Sequence, residues 1–174
     1  MDDGTLEQTD HGWKLRFVRH LPHPPHKVWR ALTDPDEMRA WFPADMEGER
    51  RVGAHLRFPF REEEGETMDG EMLVYDPPTV LAYRWDVEML RFELHPTDAG
   101  CTLTFTSTLA DVGTAARDGA GWDVCLDLLA HDLAGTTPPW NPGQRWEQVH
   151  PGYVGRLPEE ASTIGPPNRA GTGA

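Results

Sequence analysis

Apolar residues recur at every second position through the first two thirds of this chain, and at helical spacing afterwards. Over 13–20, Trp13, Leu15 and Phe17 alternate with Lys14 and Arg16, the pattern of a half-buried strand. Pro22, Pro24 and Pro25 remove ladder donors and end it, and Pro24 or Pro25 suits the first turn of a helix. Val28, Trp29 and Leu32 give that helix one apolar face, and Thr33-Asp34-Pro35 closes it. A second short helix is expected over 36–41, stopped by Pro43. Strands resume with Leu56, Phe58 and Phe60, then 68–75, then Leu81, Tyr83 and Trp85, then Leu90, Phe92 and Leu94. The last strand covers 101–109, with Leu103, Phe105 and Ser107 facing one way and Thr102, Thr104 and Thr106 the other. So many alternating segments predict an antiparallel sheet with one covered and one wet face.

The cover comes next. Trp122, Leu126, Leu129 and Leu133 fall at i, i+4, i+7 and i+11, with Cys125 beside them and Gly135 as a C-cap. Asp123, Asp127 and His131 share the opposite side, where they are expected to face water. The fold class is therefore α+β: a curved antiparallel sheet wrapped around a long C-terminal helix, with two short helices after the first strand. Residues 1–11 are polar and read as a flexible lead, 12–135 as the domain, and 136–157 as a strap. Trp146, Val149, Tyr153, Val154 and Leu157 carry too much apolar surface to stay in solvent, so the strap should fold back, with a broken helix around Pro151. Residues 158–174 have the composition of a disordered tail. The acidic run Glu62-Glu63-Glu64-Gly65-Glu66 reads as a solvated hairpin turn.

Composition narrows the function classes. A formal net charge of -13 over 174 residues leaves no basic stripe to meet phosphates, which argues against nucleic acid and anionic membranes. No apolar run approaches the ~18 to 20 residues that span a bilayer. The acidic start Met1-Asp2-Asp3-Gly4 does not suit a signal peptide. Cys101 and Cys125 both lie in apolar patterns and suit buried thiols in a reducing compartment, so a cytoplasmic location is expected. His20, His23 and His26, spaced by three in a Pro-rich stretch, could share one side of a polyproline helix. They have no carboxylate partner nearby in sequence, and ordinary surface histidines are the plainer reading. Neither a nucleophile elbow, a His-Glu-x-x-His pair, a phosphate-binding glycine loop nor a Cys-x-x-Cys occurs, so no catalytic residue, metal or cofactor is expected.

The order of strand, two short helices, strands and long helix resembles the SRPBCC (START-like, helix-grip) superfamily. Val28-Trp29-Arg30-Ala31-Leu32-Thr33-Asp34-Pro35 followed by Trp41-Phe42 resembles its branch of activator of heat-shock protein 90 ATPase homologues. So do Met68-Asp69-Gly70-Glu71 before Asp76-Pro77-Pro78, the run 81–85, Phe92-Glu93-Leu94, Gly100-Cys101-Thr102-Leu103 and Gly121-Trp122. Cys101 departs from that pattern, which usually has Thr or Ser there.

The resemblance implies a cavity between the sheet and the long helix. Its lining would come from Trp41, Phe42, Phe58, Phe60, Tyr83, Trp85, Phe92, Phe105, Trp122, Leu126 and Leu129, with the Ser107 and Tyr83 hydroxyls as polar handles. Apolar walls with a few polar groups describe a small-ligand pocket, whereas the same aromatics could fill the space as core. The leading expectation is a protein that binds a small hydrophobic or aromatic ligand. The alternatives are a protein-interaction module related to the ATPase activators, and a cyclase/aromatase-like enzyme.

Overall fold

A computed structural model describes residues 3–61 and 67–166; the acidic run 62–66 and the tail 167–174 lie outside the described residues. The strands β1 (Thr5–Thr9), β2 (Gly12–Leu21), β3 (His55–Phe58), β4 (Met68–Asp76), β5 (Val80–Trp85), β6 (Glu88–Thr97) and β7 (Gly100–Leu109) form one sheet. Its order is β1-β2-β7-β6-β5-β4-β3, and each neighbouring pair is antiparallel. The short helices α1 (Pro25–Thr33) and α2 (Pro35–Met38) follow β2, and the long helix α3 (Ala115–Ala134) follows β7.

Period-2 alternation sends Leu15, Phe17 and Leu21 of β2, Leu90, Phe92 and Leu94 of β6, and Leu103 and Phe105 of β7 into the core. The α3 stripe Trp122, Leu126, Leu129 and Leu133 is buried in the same cluster. This is the helix-grip arrangement. At its C-terminus Gly135 adopts φ +67°, where its N–H reaches the carbonyl of Asp132. Asp34 closes α1 and caps α2, accepting from the backbone N–H of Asp36 and Glu37. α2 is shorter than the sequence predicts, because the chain passes after Met38 into turns that bury Trp41 and Phe42.

Three segments differ from the sequence expectation. Residues 5–9 are not a loose lead but the edge strand β1, paired with β2 from Thr5↔Arg16 to Thr9↔Gly12. Backbone hydrogen bonds form this strand, and its nearly all-polar sequence leaves little side-chain signal. The strap contains one helix, α4 (Pro142–Arg156), which runs through Pro151 without a break. Residues 158–166, expected to be disordered, include the 3-10 turn Glu159–Ser162 with Ala161 fully buried. Ile164 N–H also bonds the Gly113 carbonyl at 3.0 Å.

α4 lies on the flank of α3 that was expected to face water. Gly119 permits the approach, since a Cβ there would stand 2.8 Å from the Tyr153 ring. Asp123 is consequently 5% exposed. It accepts hydrogen bonds from the Arg19 guanidinium and the Tyr153 hydroxyl, while the Gly4 N–H reaches the same hydroxyl at 2.7 Å. Asp127 pairs with Arg145 at 3.2 Å, and His131 bonds the Thr136 hydroxyl at 2.8 Å. The solvated reading of this face is thus corrected: α4 meets it at Asp123 and Asp127, and Thr136 and Trp140 of the preceding linker meet His131. Among the described residues, no helix is long and apolar enough to cross a membrane.

Candidate functional site: a tryptophan-walled pocket

Most of the space between sheet and α3 is filled by aromatic rings. Phe105 stacks on Phe92 at 4.6 Å and meets the edge of Trp122 at 4.9 Å. Tyr83 stacks on Phe58 at 5.6 Å and Phe92 at 6.1 Å, and Phe42 packs against Phe58, Tyr83, Trp85 and Trp122. Trp41, held by its indole N–H on the Ala31 carbonyl at 2.8 Å, meets Phe92 at 5.9 Å. Phe58, Tyr83, Phe92, Phe105, Ser107, Leu126 and Leu129 are fully or almost fully buried. They are packed into the core and stand outside the linings of the two pockets described next.

The open space lies at one end of the grip. A pocket of about 640 Å³ is bounded by the β5–β6 turn, the N-terminal half of α3 and Trp146 of α4. Phe60, Trp85 and Trp122, all expected site residues, form its walls with Met68. Trp85 and Trp122 stand edge to face at 5.5 Å. Trp146 is positioned by its indole N–H on the Arg117 carbonyl at 3.2 Å and by stacking on His150 at 4.3 Å. A second pocket of about 520 Å³ adjoins it, with Trp41 and Phe42 on its wall. Pro43, Phe60 and Cys125 line both.

The polar groups of the larger pocket are those the sequence reading missed. Glu88 opens the inward row of β6 that continues as Leu90, Phe92 and Leu94, directly across from Trp85. Burial, with the Asp118 charge, pushes its carboxyl up to about 7, against the pull of the Ala110 N–H and Arg117. Arg117 is engaged with Asp118 at 2.8 Å. Asp86, at φ +56° in the two-residue turn, is also on the pocket wall. Burial pushes the Cys125 thiol up to about 12, so it stays protonated near neutrality. Deeper in, the Tyr83 hydroxyl and the Trp85 indole N–H have no hydrogen-bond partner among the described residues.

The three histidines do not converge. His20 bonds the Thr102 hydroxyl at 3.1 Å, and the His23 pKa is lowered by burial and, secondarily, by the Lys27 ammonium 3.3 Å away. Among the described residues, no three His, Cys, Asp or Glu side chains are gathered as metal ligands.

Comparison with known proteins places this geometry in a family. The model of the "Activator of Hsp90 ATPase homolog 1-like protein" family matches residues 22–134. No curated protein matches the chain. CalU16 from Micromonospora echinospora superposes with a TM-score of 0.70 at 19% identity, covering 89% of this chain and 96% of that one. EF2215 from Enterococcus faecalis, titled a conserved protein of unknown function, gives 0.69 at 25% identity, covering 88% and 89%. The protein encoded by gene BPP1335 of Bordetella parapertussis gives 0.66 at 31% identity, covering 90% and 92%. A helix gripped by a seven-stranded sheet, matched in both sequence and structure, makes this chain a member of the Activator of Hsp90 ATPase homolog 1-like family of SRPBCC proteins.

Proposed function

We propose that the protein binds a small hydrophobic or aromatic molecule in the pocket between the β5–β6 turn, α3 and Trp146. One observation carries the reading: about 640 Å³ of space is walled by Phe60, Met68 and three tryptophans, at the one end of the grip where the aromatic core stops. That volume and lining suit a drug-sized ligand. Of the residues first considered, Phe60, Trp85 and Trp122 would contact it, and Trp41 and Phe42 would border the adjoining pocket. The remainder support the walls. The cytoplasm is the compartment this reading assumes, and both cysteines are free, as a reducing environment would keep them.

A panel of small apolar and aromatic compounds, screened by thermal shift and tryptophan fluorescence, tests the proposal. At least one aromatic class should raise Tm and change the emission. A flat response across every class contradicts it.

A cyclase-like enzyme is the second reading, and Glu88 is what favours it. A carboxyl poised near neutrality beside a bound ligand is the form a general acid–base group takes. Turnover of a bound ligand that Glu88→Gln abolishes without weakening binding would support this reading. The protein-interaction role suggested by the family description needs a contiguous exposed apolar patch. Among the described residues, the large exposed apolar side chains are Val52, Val87, Met89, Val154 and Ile164, on separate segments apart from the nearby Val87 and Met89.

A further inference from the structure

The charge pattern of the pocket narrows the chemistry of its occupant. Inward rows of this sheet are otherwise almost wholly apolar, and Arg19 and Glu88 are the charged exceptions in β2 and β6. Arg19 is answered by Asp123. Among the described residues, Glu88 is drawn on by the Ala110 backbone N–H and by a guanidinium already engaged by Asp118. Among the described residues, the pocket wall carries Asp86, Glu88 and Asp118 with Arg117, three carboxyls to one guanidinium. The apolar remainder of the wall is indole, benzyl and thioether. Carboxylates beside indole rings are the two elements that hold an organic cation, since both the charge and the ring quadrupole attract it.

We propose that the pocket takes an organic cation, a quaternary or protonated amine on an aromatic-sized apolar body, with its charge beside Glu88 and its body among Trp85, Trp122 and Trp146. This rests on the pocket being a ligand site and adds the sign of the ligand's charge. The overall charge of -13 adds a long-range attraction of the same sign. A cation also supplies a countercharge beyond the share Glu88 has in Arg117, so binding and ionisation of this carboxyl reinforce one another.

Three probes on one ring system test it by calorimetry: (2-naphthylmethyl)trimethylammonium, 2-naphthylmethanol and 2-naphthylacetate. The cation should bind about tenfold more tightly than the alcohol at pH 8, and the acetate more weakly than either. Glu88→Gln, with folding checked by circular dichroism, should remove most of that advantage and leave the alcohol's Kd within about twofold. Cation affinity should also rise several-fold from pH 6 to 8 as Glu88 ionises. Asp86, Asp118 and Arg117 share this wall with Glu88, and the Cys125 thiol, its pKa pushed up by burial, stays protonated over that range. His150 lies behind Trp146 with its pKa lowered by burial, so the same rise is expected to persist in His150→Gln. Equal affinity for cation and alcohol, or an unchanged cation preference in Glu88→Gln, overturns this inference while leaving the apolar pocket standing. Binding by none of the three overturns both.

Discussion

Replacing Phe105 with alanine separates a packed core from a ligand cavity. Phe105 sits mid-strand on β7 with no exposed surface, between Phe92 at 4.6 Å, Trp122 at 4.9 Å and Phe17 at 5.8 Å. A phenyl side chain of this kind buries about 150 to 250 Å², worth roughly 4 to 6 kcal/mol at about 25 cal/mol per Å². Alanine keeps part of that burial, while the hole it leaves costs more because strands on both sides fix the rings around it. The expected loss is about 3 to 5 kcal/mol. Phe60 is only half-buried on the pocket wall, and Phe60→Ala should cost about 1 to 2 kcal/mol. Urea denaturation of both variants at pH 7, with m unchanged, gives the comparison. A cost below about 2 kcal/mol for Phe105→Ala, or equal costs at the two sites, would refute the division between filled core and open end.

Glu88→Gln should be more stable than the parent at pH 8 by about 1 kcal/mol, a value reduced from the full shift because the carboxyl is partly solvated. Its pKa rises from 4.5 to about 7 on folding, so the parent loses stability as pH climbs between those values and the variant does not. Denaturation midpoints of the pair at pH 4.5 and 8 check the sign, and a constant difference contradicts it. Asp123→Ala removes the carboxylate shared by Arg19 and Tyr153 and should cost about 3 kcal/mol. Limited proteolysis should then cut within α4 first; unchanged stability would show that this contact does not hold the strap. Burial raises the pKa of both thiols, so an aromatic disulfide reagent at pH 8 should label Cys101 and Cys125 slowly in native protein and fast in denaturant. Fast native labelling would be the contrary result.

The architecture was legible because period-2 rows and a 3.6-period stripe must bury their apolar faces against each other, and only α3 was long enough to cover the sheet. Trp122, Leu126, Leu129 and Leu133 declared that helix by spacing alone. The site was less legible. Which aromatics fill the core and which border space depends on ring packing in three dimensions, and no periodicity reports it. β1 escaped notice because Thr5, Leu6, Glu7, Gln8 and Thr9 offer one apolar side chain among polar ones. Asp123 was misplaced since a helical wheel of α3 knows nothing of α4. A signal for both polar features was nevertheless present. Arg19 and Glu88 interrupt inward apolar rows, and a charge in such a row must meet a partner or a cavity. One meets Asp123, and the other opens on the pocket.

Indole N–H resonances of the 15N-labelled protein, followed during titration with an aromatic ligand, address the pocket most directly. The seven tryptophans report from different depths. Trp85, Trp122 and Trp146 should shift in a saturable way, while Trp13 and Trp29, away from both pockets, stay in place. Shifts confined to tryptophans outside the pocket, or none at any concentration of ligands across the aromatic and cationic classes, would contradict the assignment of this end of the grip as a binding site.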